Sequence, residues 1–144
     1  VPKADPTWGI DPNIGTEILA EFATVEGAEQ SEKRWMEKFG EWKSVVRVHD
    51  WEPGAKAAWE VNVLKPGDYC VHLTYSGEGR LVWGVDIKGG EHIQNQQNSS
   101  HNYQEFPIGW LNFPKPGRYH VSVSCLEGNT QTASLKAIRF TPIP

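Results

Sequence analysis

Through most of this chain apolar residues return at every second position, and a period of two is the signature of a strand with one face buried. In AAWEVNV (57–63) Trp59, Val61 and Val63 share one face while Ala58, Glu60 and Asn62 take the other. RLVWGVDI (80–87) offers Leu81, Trp83, Val85 and Ile87, and ASLKAIRF (133–140) offers Leu135, Ile138 and Phe140. Further strands are predicted in EILAEFATVE (17–26), SVVRVHD (44–50), EHIQNQQ (91–97) and EFPIGWL (105–111). One stretch departs from this rhythm: AEQSEKRWMEKFG (28–40) sets Trp35, Met36 and Phe39 on a helical stripe with Gly40 as a stop, predicting a short helix or irregular loop. Residues 1–16, broken by three prolines, predict an extended linker that docks through Trp8, ahead of one domain over 17–144.

One phrase is written twice. KPGDYCVHLTY (65–75) returns as KPGRYHVSVSC (115–125). In each copy Pro presets φ and Gly tolerates φ > 0, so the pair makes a turn that launches a strand. Odd positions then feed the core: Tyr69, Val71, Leu73 and Tyr75 in one copy, Tyr119, Val121 and Val123 in the other. Some eight or nine antiparallel strands at this spacing predict an all-β, two-sheet sandwich.

Composition narrows the class. The 144 residues suit one compact domain, and a net charge of −4 without a basic run gives no footprint for nucleic acid. No stretch approaches the length of a membrane-spanning helix and no leader peptide opens the chain, which reads as an excised piece or a mature form. Cys70 and Cys125 occupy non-matching positions of the repeated phrase, which favours two free thiols over a bridge. The five histidines show no metal-ligand spacing. No nucleophile motif or phosphate loop occurs, and Asp50, Glu52, Asp86 and Glu91 read as ordinary turn carboxylates, so catalysis finds little support.

At this point the residues resemble a known family. AAWEVNVLKPGDYCVHLTY is similar to the middle strands of galactose-binding-like (jelly-roll) sandwiches, in particular carbohydrate-binding modules of families 6 and 35; LAEFATVEG (19–27) resembles their opening strand and ASLKAIRF their closing one. The nearest likeness is the accessory domain carried C-terminal to bacterial family 29 α-L-fucosidases. The resemblance implies a non-catalytic, monomeric module of a secreted, periplasmic or cell-surface enzyme, with a glycan ligand, a catalytic domain upstream, and no membrane or nucleic acid partner. Such modules commonly hold a structural calcium on carboxylates of the opening and closing strands. Here Leu19 and Lys136 stand at two of those positions, so no calcium or other cofactor is expected, and Lys136 is expected to pair with Glu21 in the cation's place.

Candidate contacts follow from the residues and from the resemblance. IQNQQNSSHNYQ (93–104) is rich in neutral donors and acceptors, the chemistry that recognises sugar hydroxyls, with Asn98, His101, Asn102 and Tyr103 in it; its bland reading is a solvated loop or a strand edge carrying amides. The resemblance adds an aromatic near Trp42 and an amide at Asn129. Trp51 joins them as a loop indole, since an aromatic face suits a pyranose ring. Trp59 and Trp83 are in phase with the core. Trp110 has both readings open, core the stronger, and Trp35, Trp42 and Trp51 are loop indoles that face either ligand or a neighbouring domain.

Overall fold

In the computed structural model the chain is a two-layer β-sandwich, described over residues 7–10, 15–20, 23–38, 41–49, 51–52 and 54–143, with backbone alone for 7–8, 32–38 and 41–45. The strands are β1 (Thr7–Ile10), β2 (Thr16–Leu19), β3 (Thr24–Glu26), β4 (Glu29–Lys38), β5 (Glu41–His49), β6 (Lys56–Val63), β7 (Gly67–Ser76), β8 (Arg80–Ile87), β9 (His92–Asn98), β10 (Gln104–Phe113), β11 (Gly117–Gly128) and β12 (Ser134–Pro142). One sheet runs β1-β6-β11-β8-β9 with β3 also on β6; the other runs β10-β7-β12-β5-β4 with β2 also on β12. The described residues thus hold more strands than the eight or nine the pattern suggested, because short segments share the edges of long ones.

The repeated phrase becomes one central strand in each sheet. β7 lies between β10 and β12, and β11 lies between β6 and β8. Gly67 and Gly117 have φ of 145° and 135°, a conformation open to glycine, although nothing crowds either position. Each phrase then locks its own turn. The Tyr69 hydroxyl donates to the Lys65 carbonyl at 2.7 Å, and that of Tyr119 to the Lys115 carbonyl at 2.6 Å.

Inward residues of both sheets meet in one continuous core. Toward one end Tyr75 packs on Trp83 and on Phe106, and Trp83 meets Trp51 edge-on. Toward the other end Phe113 is met edge-on by Tyr69, Tyr119 and Phe140. Trp59 and Trp83 are in the core, as their phase predicts. Trp59 also donates its indole N–H to the Leu19 carbonyl at 3.2 Å, tying β6 to the end of β2 across the layers.

Three local expectations are corrected. Within the predicted helical stretch Glu29–Lys38 is strand β4, paired antiparallel with β5 from Glu29↔His49 to Lys38↔Glu41, while Phe39 and Gly40 lie outside the described residues. Its ten residues are mostly polar because it is the last strand of its sheet, where backbone pairing on one side outweighs a weak helical period. EILAEFATVE divides into β2 and β3, which belong to different sheets. The chain bends between them at buried Ala20, whose carbonyl accepts from the Ala23 N–H at 3.1 Å and the Gln30 amide at 2.6 Å. Finally, part of the supposed linker is sheet: β1 pairs parallel with β6, and Ile10 is fully buried.

Candidate functional site

Three connections meet at one end of the sandwich: 77–79 between β7 and β8, 99–103 between β9 and β10, and 129–133 between β11 and β12. They are laced together. Gly77 N–H donates to the Ser100 carbonyl at 2.9 Å and Ser99 N–H to the Gly79 carbonyl at 2.8 Å. Glu78 N–H donates to Thr132 Oγ1 at 3.0 Å, and that hydroxyl donates to the Asn129 carbonyl at 2.7 Å. Backbone groups that water would otherwise satisfy are thus paired between loops, and the side chains are left to face outward.

Five of the seven predicted contacts belong to this end. Asn98, His101, Asn102 and Asn129 are exposed, and Tyr103 is half-buried with its hydroxyl 2.6 Å from Ser134 Oγ. That bond ties the Tyr103 hydroxyl to β12, and the residue stays half-buried. His101 Nδ1 stands 4.0 Å from Glu78 Oε1, an open pair between two exposed side chains, and Asn102 N–H caps onto Ser100 Oγ at 3.2 Å.

Trp51 does not join them. Trp51, expected at a loop surface, is 2% exposed: its ring packs against Trp83 at 5.3 Å and its N–H donates to the Val48 carbonyl at 3.2 Å. An indole swallowed by the core has no face for a sugar, and that assignment is withdrawn. The Trp42 side chain lies outside the described residues; its backbone pairs with Met36 at the hairpin end of β5, six residues from the Val48–Leu135 pair near the loop cluster. At roughly 3.3 Å per residue this is about 20 Å along the strand. Glu21, the expected partner of half-buried Lys136, also lies outside the described residues. Among the described residues no three metal-ligating side chains cluster.

The amide-rich segment is more strand than loop, which its bland reading as a strand edge anticipates. β9 alternates, and its amides split by face. Asn95 Nδ2 donates to the Ile108 carbonyl at 3.3 Å and Gln97 Nε2 to the Pro107 carbonyl, while Tyr75 donates its hydroxyl to Gln97 Oε1 at 3.3 Å. β9 ends one sheet and β10 the other, so these inward amides close the flank of the sandwich. Gln94, Gln96 and Asn98 point outward and remain exposed.

Sequence reading missed a second concavity. The outer face of the β6-β11-β8 sheet carries a furrow of about 370 Å³ lined by Thr24, Glu26, Lys56, Ala58, Asp86, Lys88, His120 and Ser122. Small residues form its floor, since Ala58 and Ser122 are nearly buried although they point outward. His120 Nδ1 sits 2.6 Å from Glu60 Oε1, and His92 pairs with Asp86 through Nδ1. Hydrogen bonds from His92 to Gln94 and Asp86 raise its pKa above the ordinary 6.5. The available signal was a run of Ala, Ser and Gly at outward phases between charged neighbours.

Trp110 is the other surprise, 61% exposed where the core was the stronger reading. Phe106 and Ile108 point inward, so unbroken alternation would carry Trp110 inward as well. The ladder with β7 slips between Pro107 and Gly109, however, and this bulge inverts the phase. Leu111 and Phe113 then take the buried positions, and Trp110 is turned out beside Glu91, Ile93 and Gln94.

No family model matches the chain, and no curated protein matches it in sequence. Solved structures do match in shape. The fold is that of β-sandwich carbohydrate-binding modules: the family 6 module of Cellvibrio mixtus lichenase 5A, solved with cellotriose, superposes with a TM-score of 0.68 at 14% identity over 91% of this chain and 99% of that one. The Podospora anserina GH26-CBM35 β-(1,4)-mannanase gives 0.69 at 13% identity, covering 92% of this chain and 28% of that one. A Bacillus thuringiensis Cry1Da toxin core gives 0.72 at 12% identity, covering 95% and 25%. The chain therefore spans about a quarter of the mannanase and of the toxin but nearly all of the isolated module. At these identities the likeness is one of fold.

Proposed function

We propose that this domain is a non-catalytic, monomeric carbohydrate-binding module that holds a glycan at the loop end of the sandwich. The reading rests on one observation: cross-tied loops at one end of the sandwich carry exposed Asn98, His101, Asn102 and Asn129 together with half-buried Tyr103. Amides and an imidazole supply donors and acceptors to hydroxyls without the desolvation cost of a full charge, while the ring offers its face to sugar C–H groups. A single open site of this kind binds weakly. Its use is tethering, which raises the effective concentration of substrate at a linked catalytic domain. The fold's occurrence in family 6 and family 35 modules supports the reading. On the sequence resemblance, the parent is proposed to be a secreted bacterial glycoside hydrolase, an α-L-fucosidase.

The competing reading is an accessory sandwich that packs on its neighbour through loop tryptophans and binds no sugar. It loses one of its three loop tryptophans to the core, since Trp51 is buried. The experiment is a ¹H–¹⁵N correlation titration of the 144-residue chain with cellotriose, mannotriose and 2′-fucosyllactose. Saturable shifts at His101, Asn102 and Tyr103, lost in Tyr103→Ala, are expected with at least one sugar. Spectra that stay unmoved at the loop end throughout would sink the proposal.

A further inference from the structure

Of the four tryptophans whose side chains are described, Trp51, Trp59 and Trp83 are at most 2% exposed and Trp110 is 61% exposed. A single exposed indole on a strand surface needs no explanation by itself. Here two independent features produce and preserve the exposure. The bulge at Pro107–Gly109 turns the ring outward from a strand whose alternation would have buried it. Gly109 then keeps the neighbouring floor low, because a β-carbon there would stand 3.3 Å from Ile93 Cδ1 and fill the ground beside the ring.

What this leaves is a cleft of about 340 Å³ on the flank between β9 and β10, lined by Glu91, Ile93, Gln94, Ile108, Gly109 and Trp110. Its volume falls at the small end of ligand sites, about 300–1,000 Å³, but it is shallow and open to solvent rather than enclosed. Its polar groups are aimed by their other bonds. Glu91 Oε1 accepts from the Asn112 backbone N–H at 2.7 Å, which holds the carboxylate and leaves its second oxygen to accept. Gln94 Oε1 is 3.1 Å from His92 Nε2, and His92 is held in turn by Asp86. When His92 is protonated, Nδ1–H donates to Asp86 and Nε2–H to Gln94 Oε1, which leaves the Gln94 NH₂ to offer. The cleft therefore combines an apolar plate, one acceptor and one donor.

The geometry points to a second ligand site at this flank, distinct from the loop end, that takes one or two uncharged pyranose rings stacked on Trp110, with Glu91 accepting from and Gln94 donating to ring hydroxyls. The inference rests on the carbohydrate-binding reading and extends it. The Glu91 carboxylate selects neutral hexopyranosides over uronic acids, since a second carboxylate there meets like-charge repulsion with little room to separate. Sheet register sets the Trp110 site apart: Trp110 pairs with Cys70 near the start of β7, whereas the loop cluster begins past Ser76 at its end. A glycan chain long enough to touch both would lie along the flank.

The same spectral titration tests this. The Trp110 indole N–H and the Gln94 side-chain NH₂ are expected to shift saturably with cellotriose or mannotriose and to stay still with glucuronic acid. Trp110→Ala, a surface change, is expected to weaken that response roughly tenfold, the loss of a stacked ring, with Gln94→Ala weakening it less and Tyr103→Ala leaving it intact. Shifts confined to His101, Asn102 and Tyr103 would overturn the flank site while the loop-end reading stands. Shifts confined to Trp110 and Gln94 would uphold the flank site and remove the loop-end one. A spectrum unmoved by every sugar would overturn both.

Discussion

Tyr69 and Tyr119, equivalent residues of the repeated phrase, sit in opposite sheets and both lean edge-on against Phe113, at 5.6 and 4.8 Å between ring centres. Each also donates its hydroxyl to a carbonyl four residues earlier. The two copies of one sequence thus clamp the same ring. Phe113→Ala is expected to cost about 3–5 kcal/mol in urea unfolding, the range for a buried aromatic. Tyr69→Phe, at a buried site, should cost about 1–2 kcal/mol because it strands the Lys65 carbonyl, and Tyr119→Phe, which is half-buried, about 0.5–1 kcal/mol. A Phe113→Ala cost no greater than that of either hydroxyl deletion would contradict the clamp.

Trp51 and Trp110 should behave oppositely. Trp51→Ala opens the core beside Trp83 and is expected to lower stability by about 3–5 kcal/mol. Trp110→Ala should change it by no more than about 0.5 kcal/mol, since the ring stands on the surface. Chemical denaturation of both variants decides the point.

The two thiols should differ in reactivity. Burial pushes Cys125 up to about 12, so at mildly alkaline pH it holds almost no thiolate. Cys70 is half-buried on the outer face of its sheet. Titration with a thiol reagent is expected to count one group in the native protein and two in denaturant, and native labelling found on Cys125 by mass spectrometry would contradict this assignment.

His92 should titrate above 6.5, held protonated chiefly by Gln94 and then by Asp86. A raised folded value means the charge favours folding most below the unfolded pKa, and that gain disappears as pH rises through the folded one. With the side chain 46% exposed, solvent screens most of the effect. Asp86→Asn is therefore expected to lower the His92 midpoint seen by NMR and to cost a little stability in mild acid, with the difference vanishing in mild alkali. An unchanged midpoint would disprove the pairing.

Long strands buried on one face were legible because each inward position carries a large apolar group: β6, β7, β8 and β12 follow the predicted phases. The strand β4 was not, because an edge strand buries little and its composition follows solubility rather than period. The division of EILAEFATVE was hidden because the bend at Ala20 has no Gly or Pro to mark it. Trp110 was misplaced by a single-residue bulge, which no pattern of period two reports, and Trp51 by its position between strands, where packing from another layer decides burial. At the loop end, the polar residues stood out as chemistry in the sequence, yet two of the amides, Asn95 and Gln97, turned out to fasten β9 to β10.

The polar last strand of the second sheet has a colloidal meaning. β4 presents ten residues of backbone, six of them charged: Glu29, Glu32, Lys33, Arg34, Glu37 and Lys38. Among the described residues β4 ends its sheet, and mixed signs along it set like charge against like in many alignments with another molecule's strand. If the domain gathers on a polymer as proposed, its local concentration rises, and a charged border of this kind disfavours stacking into fibrils.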